Sequence, residues 1–291
     1  MSAKVRADIL LFIAAVIWGF AFVAQRVGME FVGPFTFNGV RFALGTLVLV
    51  PFLFTGKKFK PKDPAVTTSK RMITGGVIAT GILLFAGVSL QQVGMQTTTA
   101  GKAGFITGLY VVLVPVVGIF LGHKTNVFSW LGVLLSATGL YFLSIKQGMQ
   151  MEYGDLLVLC CAVVFTFHVI LIGWLSPRMD SFQLAIGNFA ICAFLNLIVA
   201  FSFEPVIASK ILEAAVPILY GGILSVGVAY TLQVVAQKEA NPAYASIILS
   251  LEAVFAAIGG WLILNESLSL RALAGCTLML AGMVVVQVKR S

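Results

Sequence analysis

The sequence predicts an all-α integral membrane protein whose ten transmembrane helices form two inverted five-helix repeats. Three observations predict it: a composition that water cannot solvate, ten apolar stretches of spanning length, and an internal match at about half the chain length. Of 291 residues, 59% are hydrophobic and 10% charged, and the mean hydropathy is +1.03. A soluble chain of this length carries about a quarter charged residues, because only polar side chains keep a folded surface hydrated. The outer surface must therefore meet lipid.

An α-helix rises about 1.5 Å per residue, so about 20 apolar residues cross a hydrocarbon core of roughly 30 Å. The first stretch, Ile9 to Val27, follows Lys4 and Arg6 as a secretory leader would. Phe22, however, stands where a cleavage site ending at Ala24 needs a small residue, so this helix is expected to be retained. The second, Phe35 to Phe54, carries Arg41 about two turns inside its start. The third, Ile73 to Val93, is spaced by Gly75, Gly76, Gly81 and Gly87, which allow close helix approach. The fourth and fifth, Ala103 to Leu121 and Val127 to Ile145, flank His123. The sixth, Leu156 to Leu175, holds His168, and the seventh, Phe182 to Phe203, holds Cys192. The eighth, Ala214 to Ala236, carries Tyr230 and Gln233. The ninth, Tyr244 to Leu264, carries Glu252 near its middle, and the tenth runs from Ala272 to Val288. Continuous apolar runs, rather than alternation, favour helices over a membrane barrel.

The net charge of +8 comes from basic residues scattered through short loops, which argues against nucleic acid as a partner and for the bilayer. With both ends on one side, that side receives Lys4, Arg6, Lys57, Lys58, Lys60, Lys62, Lys70, Arg71, Lys124, Arg178, Lys238, Lys289 and Arg290. The other receives Arg26, Lys102, Lys146, Lys210 and Arg271. The positive-inside bias places both termini, and the lysine-rich loop from Gly56 to Arg71, in the cytoplasm. The cysteines Cys160, Cys161, Cys192 and Cys276 fall inside spans, so a secreted disulfide framework is not expected. His123 and His168 lack the spacing of a metal site, and no phosphate-binding glycine loop or nucleophile elbow occurs. No metal or cofactor is expected.

The chain repeats itself. Asp8-Ile9-Leu10-Leu11 matches Asp155-Leu156-Leu157-Val158, and Arg41-Phe42-Ala43 matches Asn188-Phe189-Ala190, both 147 positions apart. Gly75, Gly76 and Gly81 match Gly221, Gly222 and Gly227, and Gly132, Gly139 and Lys146 match Gly275, Gly282 and Lys289 at a shorter shift, as loop deletions produce. Residues 1–147 and 148–291 are read as the two units. An odd number of spans per unit makes the second enter from the opposite face, the arrangement by which many carriers obtain two equivalent conformations around a midplane site. Duplication can also merely enlarge a scaffold.

Local motifs then resemble the drug/metabolite transporter superfamily, EamA type. The first helix carries Trp18-Gly19, the fourth begins Thr97-Thr98-Thr99-Ala100-Gly101-Lys102-Ala103-Gly104-Phe105, and the ninth carries Leu251-Glu252 and ends Leu264-Asn265-Glu266. The likeness covers essentially the whole chain. It departs from the family at Ala253, where proline is common and a kink would follow, and at His123, where an acidic residue is common. The resemblance implies a secondary carrier in a bacterial inner membrane that moves small metabolites, often outward; its members include exporters of amino acids and related compounds.

Buried polar groups are costly in lipid, so they point to sites. Glu252 is either a brace between helices or a titrating group that couples transport to protons. Arg41 is read first as an anchor snorkelling to the extracytoplasmic interface, and second as a bidentate clamp for a substrate carboxylate. Lys102 carries the same two readings. Trp18, Phe22 and Gln25 share one face of the first helix, Thr107 and Tyr110 one of the fourth, and Tyr230, Gln233 and Gln237 one of the eighth. With His168 they supply aromatic walls and a few hydrogen-bonding groups, the lining of a small-molecule pocket. Trp18, Tyr110, His168, Tyr230, Gln233 and Arg41 are the substrate-binding candidates, each with helix packing as its plainer reading. A membrane-embedded scaffold, sensor or enzyme is the rival to a carrier, but Asp8, Asp63, Asp155 and Asp180 all lie at span ends or in loops, so no intramembrane aspartate pair exists.

Overall fold

The computed structural model describes residues 2–54, 69–122, 126–144, 152–267 and 269–288. Most of the Gly56 to Arg71 loop lies outside them, as do His123, Lys124, Lys146, Lys289 and Arg290. The described chain is helical and contains no strand. Its helices are α1 (Ala3–Gly28), α2 (Pro34–Leu53), α3 (Lys70–Gly94), α4 (Ala100–Phe120), α5 (Val127–Ser144), α6 (Tyr153–Leu175), α7 (Ser181–Phe203), α8 (Ala215–Ala236), α9 (Pro242–Leu264) and α10 (Leu270–Val288). A short helix, Ala208–Glu213, sits between α7 and α8. Among the described residues eight helices are long and apolar enough to cross a membrane; α5 and α10 hold shorter apolar segments, Val127–Phe142 and Leu270–Val286.

Helix starts follow from the residues beneath them. Thr99 and Asn241, 142 positions apart, cap α4 and α9 by accepting from the Lys102 and Tyr244 amides, which satisfies donors no helical carbonyl can reach. Asp180 caps α7 in the same way. Glu204, at the end of α7, accepts from the Phe35 and Thr36 amides and the Thr36 hydroxyl, and so caps α2 from outside it. The last turn of α2, Val50–Leu53, tightens to 3₁₀ geometry around Pro51.

Three of the five pairs of equivalent helices, α2 with α7, α4 with α9 and α5 with α10, pack against one another, and they run antiparallel. Along α5 and α10, Gly132 lies against Gly282 and Val286, while Gly139 lies against Gly275 and Met279. Along α4 and α9, Gly101 faces Ala257 and Gly108 faces Ala253. Along α2 and α7, Thr36 meets Glu204 and Phe52 stacks on Phe182. The remaining contacts come in matched sets: α1 packs on α8 and α9 as α6 packs on α3 and α4. A two-fold axis perpendicular to the helices produces this pattern. Glycine and alanine at the crossings let backbones approach, the chief source of helix association where lipid removes the hydrophobic drive. Large apolar side chains such as Phe120, Phe203 and Val216 stand on the outside, whereas Asn38, Gln92 and Asn196 are fully buried.

Two local features depart from straight helices. Leu109 interrupts α4, and Ser250 with Leu251 interrupts α9. The absence of proline at Ala253 led to the expectation of no kink there; the helix breaks nonetheless. Around the break the Ala253 and Val254 amides reach back three residues, to Ser250 and Leu251, and the Ser250 hydroxyl bonds the Ile247 carbonyl. In α8, residues Tyr220–Tyr230 adopt π-helical geometry, while its equivalent α3 is regular.

Candidate functional site

The breaks in α4 and α9 place Tyr110 and Glu252 at equivalent positions, each 11 residues past its capping residue. Both side chains point to the axis between the units, where they line one cavity. The cavity is small, about 40 Å³, room for a few water molecules or one small polar group. Trp18, Phe22, Gln25, Arg41, Gln91, Tyr110, Phe165, His168, Ser225, Tyr230, Gln233 and Glu252 contribute to the lining. All seven sequence candidates thus converge on a single space, drawn from six helices of both units. The repeat is visible in the walls: Trp18 with Phe165, Ala21 with His168 and Phe22 with Val169 are each 147 positions apart, and every one of these residues faces the cavity.

Aromatic rings build one wall. Tyr230 lies 4.5 Å from Trp18, 6.0 Å from Phe42 and 5.8 Å from Phe189, ring centre to ring centre, and meets His168 edge-on. Such tilted contacts suit the ring quadrupoles. Trp18 Nε1 donates to the carbonyl of Ser225, in the π-helical stretch of α8, at 3.2 Å, and Tyr220 donates to the Ile17 carbonyl at 2.9 Å. Both bonds tie α8 to α1 at cavity depth.

Polar groups face inward with little to satisfy them. Tyr110 Oη, His168 Nε2, Gln233 Oε1 and Glu252 Oε1 are buried without a well-formed hydrogen bond, although Tyr110 and Glu252 are near enough to interact. Buried polar atoms are nearly always paired in folded proteins, so four orphans around one cavity mark a place for a polar ligand or water.

Arg41 corrects the first of its two readings. It does not snorkel to the interface: the side chain is 2% exposed and turned into the bundle. Nε donates to Asn38 Oδ1 at 3.0 Å, Nη2 donates to Gln25 Oε1 at 3.2 Å, and the guanidinium lies 5.4 and 5.2 Å from the ring centres of Phe37 and Phe42. These amide and ring contacts offset part of the cost of burying the charge. Lys102 stays at the mouth of α4, 17% exposed. It forms an ion pair with Asp155, which also accepts from Thr98 and the Glu152 amide and thereby joins α4 to α6.

Gln237 faces away from the cavity and donates to the Val169 carbonyl, and Thr107 accepts from Gln91 rather than lining the space itself. Sequence reading missed Gln91, Ser225 and Asn38. Asn38 and Gln91 carry a usable signal, being amides inside apolar spans; Ser225 contributes a backbone carbonyl, which its residue type does not announce. No group of three metal-binding side chains occurs among the described residues.

Comparison with known proteins agrees with this architecture. Residues 5–145 and 152–288 each match the model of the EamA-like transporter family. An "uncharacterized transporter" of Archaeoglobus fulgidus is 32% identical over 98% of this chain and 87% of its own length. "Uncharacterized transporter YoaV" of Bacillus subtilis is 25% identical over 91% of each chain. A solved crystal structure, 18% identical, superposes on 98% of this chain and 97% of its own with a TM-score of 0.77, which shows a shared fold.

Proposed function

Because this chain belongs to the EamA-like transporter family, we propose that it is a secondary active carrier that exports small zwitterionic metabolites of the amino-acid type across a bacterial inner membrane. The family and the apolar helices make it a multi-pass membrane protein with a small-molecule substrate. In the proposed form all ten helices span, the two units divide near residues 147 and 148 and insert with opposite orientation, and both termini are cytoplasmic. The antiparallel packing of equivalent helices supports the inversion, and the lysine and arginine asymmetry supports the orientation.

The observation that carries the substrate reading is the polarity of the cavity. Two positions that the repeat makes equivalent have diverged in charge. Arg41 of the first unit corresponds to neutral Asn188 of the second, and Glu252 of the second to neutral Tyr110 of the first. The cavity therefore holds one cation on one unit and one carboxyl on the other. A guanidinium binds a carboxylate through two parallel hydrogen bonds. The Glu252 carboxyl, with the faces of Trp18, Tyr230 and Phe165, offers an ammonium both charge and π-density. Substrate held between the units is released to either side as they rock about the axis. Glu252 is the proposed proton-coupling group, since it is a carboxyl at cavity depth whose hydration changes as the cavity opens to one side.

Thermal unfolding of the purified protein in nanodiscs, against the proteinogenic amino acids and their decarboxylated amines, tests the reading. Amino acids are expected to stabilise the fold by mass action, and removal of the carboxylate to abolish the effect. Stabilisation by amines and amino acids alike, or by neither, would refute it.

A further inference from the structure

A buried arginine in a protein interior ordinarily meets a carboxylate, because an unpaired charge in a low-dielectric site is among the costliest things to bury. Arg41 has no such partner. Among the described residues no acidic side chain pairs with it, and no acceptor takes a hydrogen bond from Nη1. Its two hydrogen-bond partners, Asn38 and Gln25, are both neutral amides.

A tether on the Asn38 side chain fixes which of its ends Arg41 meets, and a tether on the Gln25 backbone fixes where that residue sits. Asn38 Nδ2 donates to the Val88 carbonyl of α3 at 3.1 Å, so its oxygen is the end turned to Arg41 Nε. The Gln25 carbonyl is held in turn by Gln92 Nε2 at 3.3 Å, which pins that turn of α1 to α3. Asn38, Gln92 and Gln25 are 0%, 0% and 3% exposed. Asn38 does not face the cavity, whereas Arg41 does. The arrangement thus restrains the guanidinium on its Nε and Nη2 sides and leaves its Nη1 side without a protein acceptor. Amide dipoles do this without cancelling the charge; a carboxylate at either place would do it and cancel the charge too.

We infer that Asn38 and Gln25 are positioning residues that keep Arg41 an aimed, uncompensated cation, so that the anionic group of the substrate completes its charge. This rests on the reading of Arg41 as the carboxylate-binding group. It makes the neutrality of residues 25 and 38 a requirement for binding, although a carboxylate beside a buried arginine would ordinarily be a favourable replacement.

The test uses the full-length protein in nanodiscs, with the same panel of amino acids and decarboxylated amines as ligands. Asn38→Asp and Gln25→Glu keep side-chain shape and add a charge, the first also giving up its donor to the Val88 carbonyl, and Arg41→Gln removes the cation. Asn38→Asp and Gln25→Glu are each expected to lower affinity for amino acids by about tenfold or more, with the ligand-free unfolding midpoint of Gln25→Glu unchanged. A merely structural role would lower that midpoint. Carboxylate affinity within about twofold of the parent in both charge variants, alongside loss in Arg41→Gln, would overturn the inference and leave the substrate reading standing. Unchanged affinity in Arg41→Gln, or no response of the parent to any carboxylate, would overturn both. If Asn38→Asp fails to fold, Gln25→Glu decides, since no other hydrogen bond of its side chain is disturbed.

Discussion

Adding one methyl group at Gly19 is expected to damage the protein, while adding the same group at Gly75 is expected to do no harm. Gly19 lies where α1 crosses α9 beside the cavity. A Cβ there would fall 2.8 Å from the Glu252 carbonyl oxygen and 2.8 Å from the Phe255 carbonyl carbon, and closer still to Phe255 Cβ. Carbon atoms rest at about 3.5–4.0 Å, so the helices must part by roughly 1 Å, and the opposing atoms are backbone that cannot swing aside. Overpacking of this kind costs about 1–3 kcal/mol. Gly75 has no atom within 4 Å of the added carbon, and alanine in a helix is better than glycine by about 0.5–1 kcal/mol. The helix gain is common to both positions, so the two variants should differ by the overpacking cost, about 1–3 kcal/mol, with Gly19→Ala below the parent and Gly75→Ala at or above it. Thermal unfolding of both in one detergent measures the difference. Parting α1 from α9 also moves Trp18 relative to Tyr230, so ligand affinity should fall in Gly19→Ala alone. A Gly19→Ala protein as stable as Gly75→Ala would refute the claim that this crossing is close-packed.

Other substitutions probe the remaining contacts. Asp155→Asn removes the ion pair with Lys102, itself only 17% exposed, and should lower stability by about 2 kcal/mol, a loss visible in the same unfolding assay. Tyr110→Phe removes a buried hydroxyl that has no well-formed protein partner, so weakened ligand affinity with unchanged stability is expected from titration; unchanged affinity would take Tyr110 out of the site. Glu252→Gln keeps size and hydrogen bonding but cannot exchange a proton, and uptake into proteoliposomes should lose its response to an imposed pH gradient. Normal gradient response in the folded mutant would remove Glu252 from coupling. A cysteine at Lys58, in a background with Cys160 replaced by serine, should react with an impermeant thiol reagent in broken cells but not in intact ones; equal labelling would reverse the topology.

The features that could be read along the chain are those that depend on neighbours in sequence. Hydropathy over about 20 residues announces a lipid-facing helix wherever that helix later packs, and the half-chain match survives because equivalent helices occupy equivalent places. Intramembrane polarity pointed to Glu252, His168 and Tyr110 for the same local reason: water is absent at that depth whatever the fold. Helix ends were read less well. The apolar signal of α1 begins at Ile9, but its backbone helix begins at Ala3, since hydrogen bonding continues through charged residues that hydropathy excludes.

Convergence of distant residues carries no such local trace. Distance from a helix end allows Arg41 to snorkel or to turn inward, and the choice rests on Asn38, Gln25 and two phenylalanine rings, of which Gln25 comes from another helix. The break before Glu252 occurs without proline, at the place where α9 crosses α4 beside Gly104 and Gly108. Ser225 acquires a bond from Trp18 because α8 is laid beside α1, 207 residues away in sequence. Lys102 finds Asp155, 53 residues away and in the other unit, because α4 is laid beside α6. Each of these outcomes depends on which surfaces meet, a property of packed pairs of helices that no single segment contains.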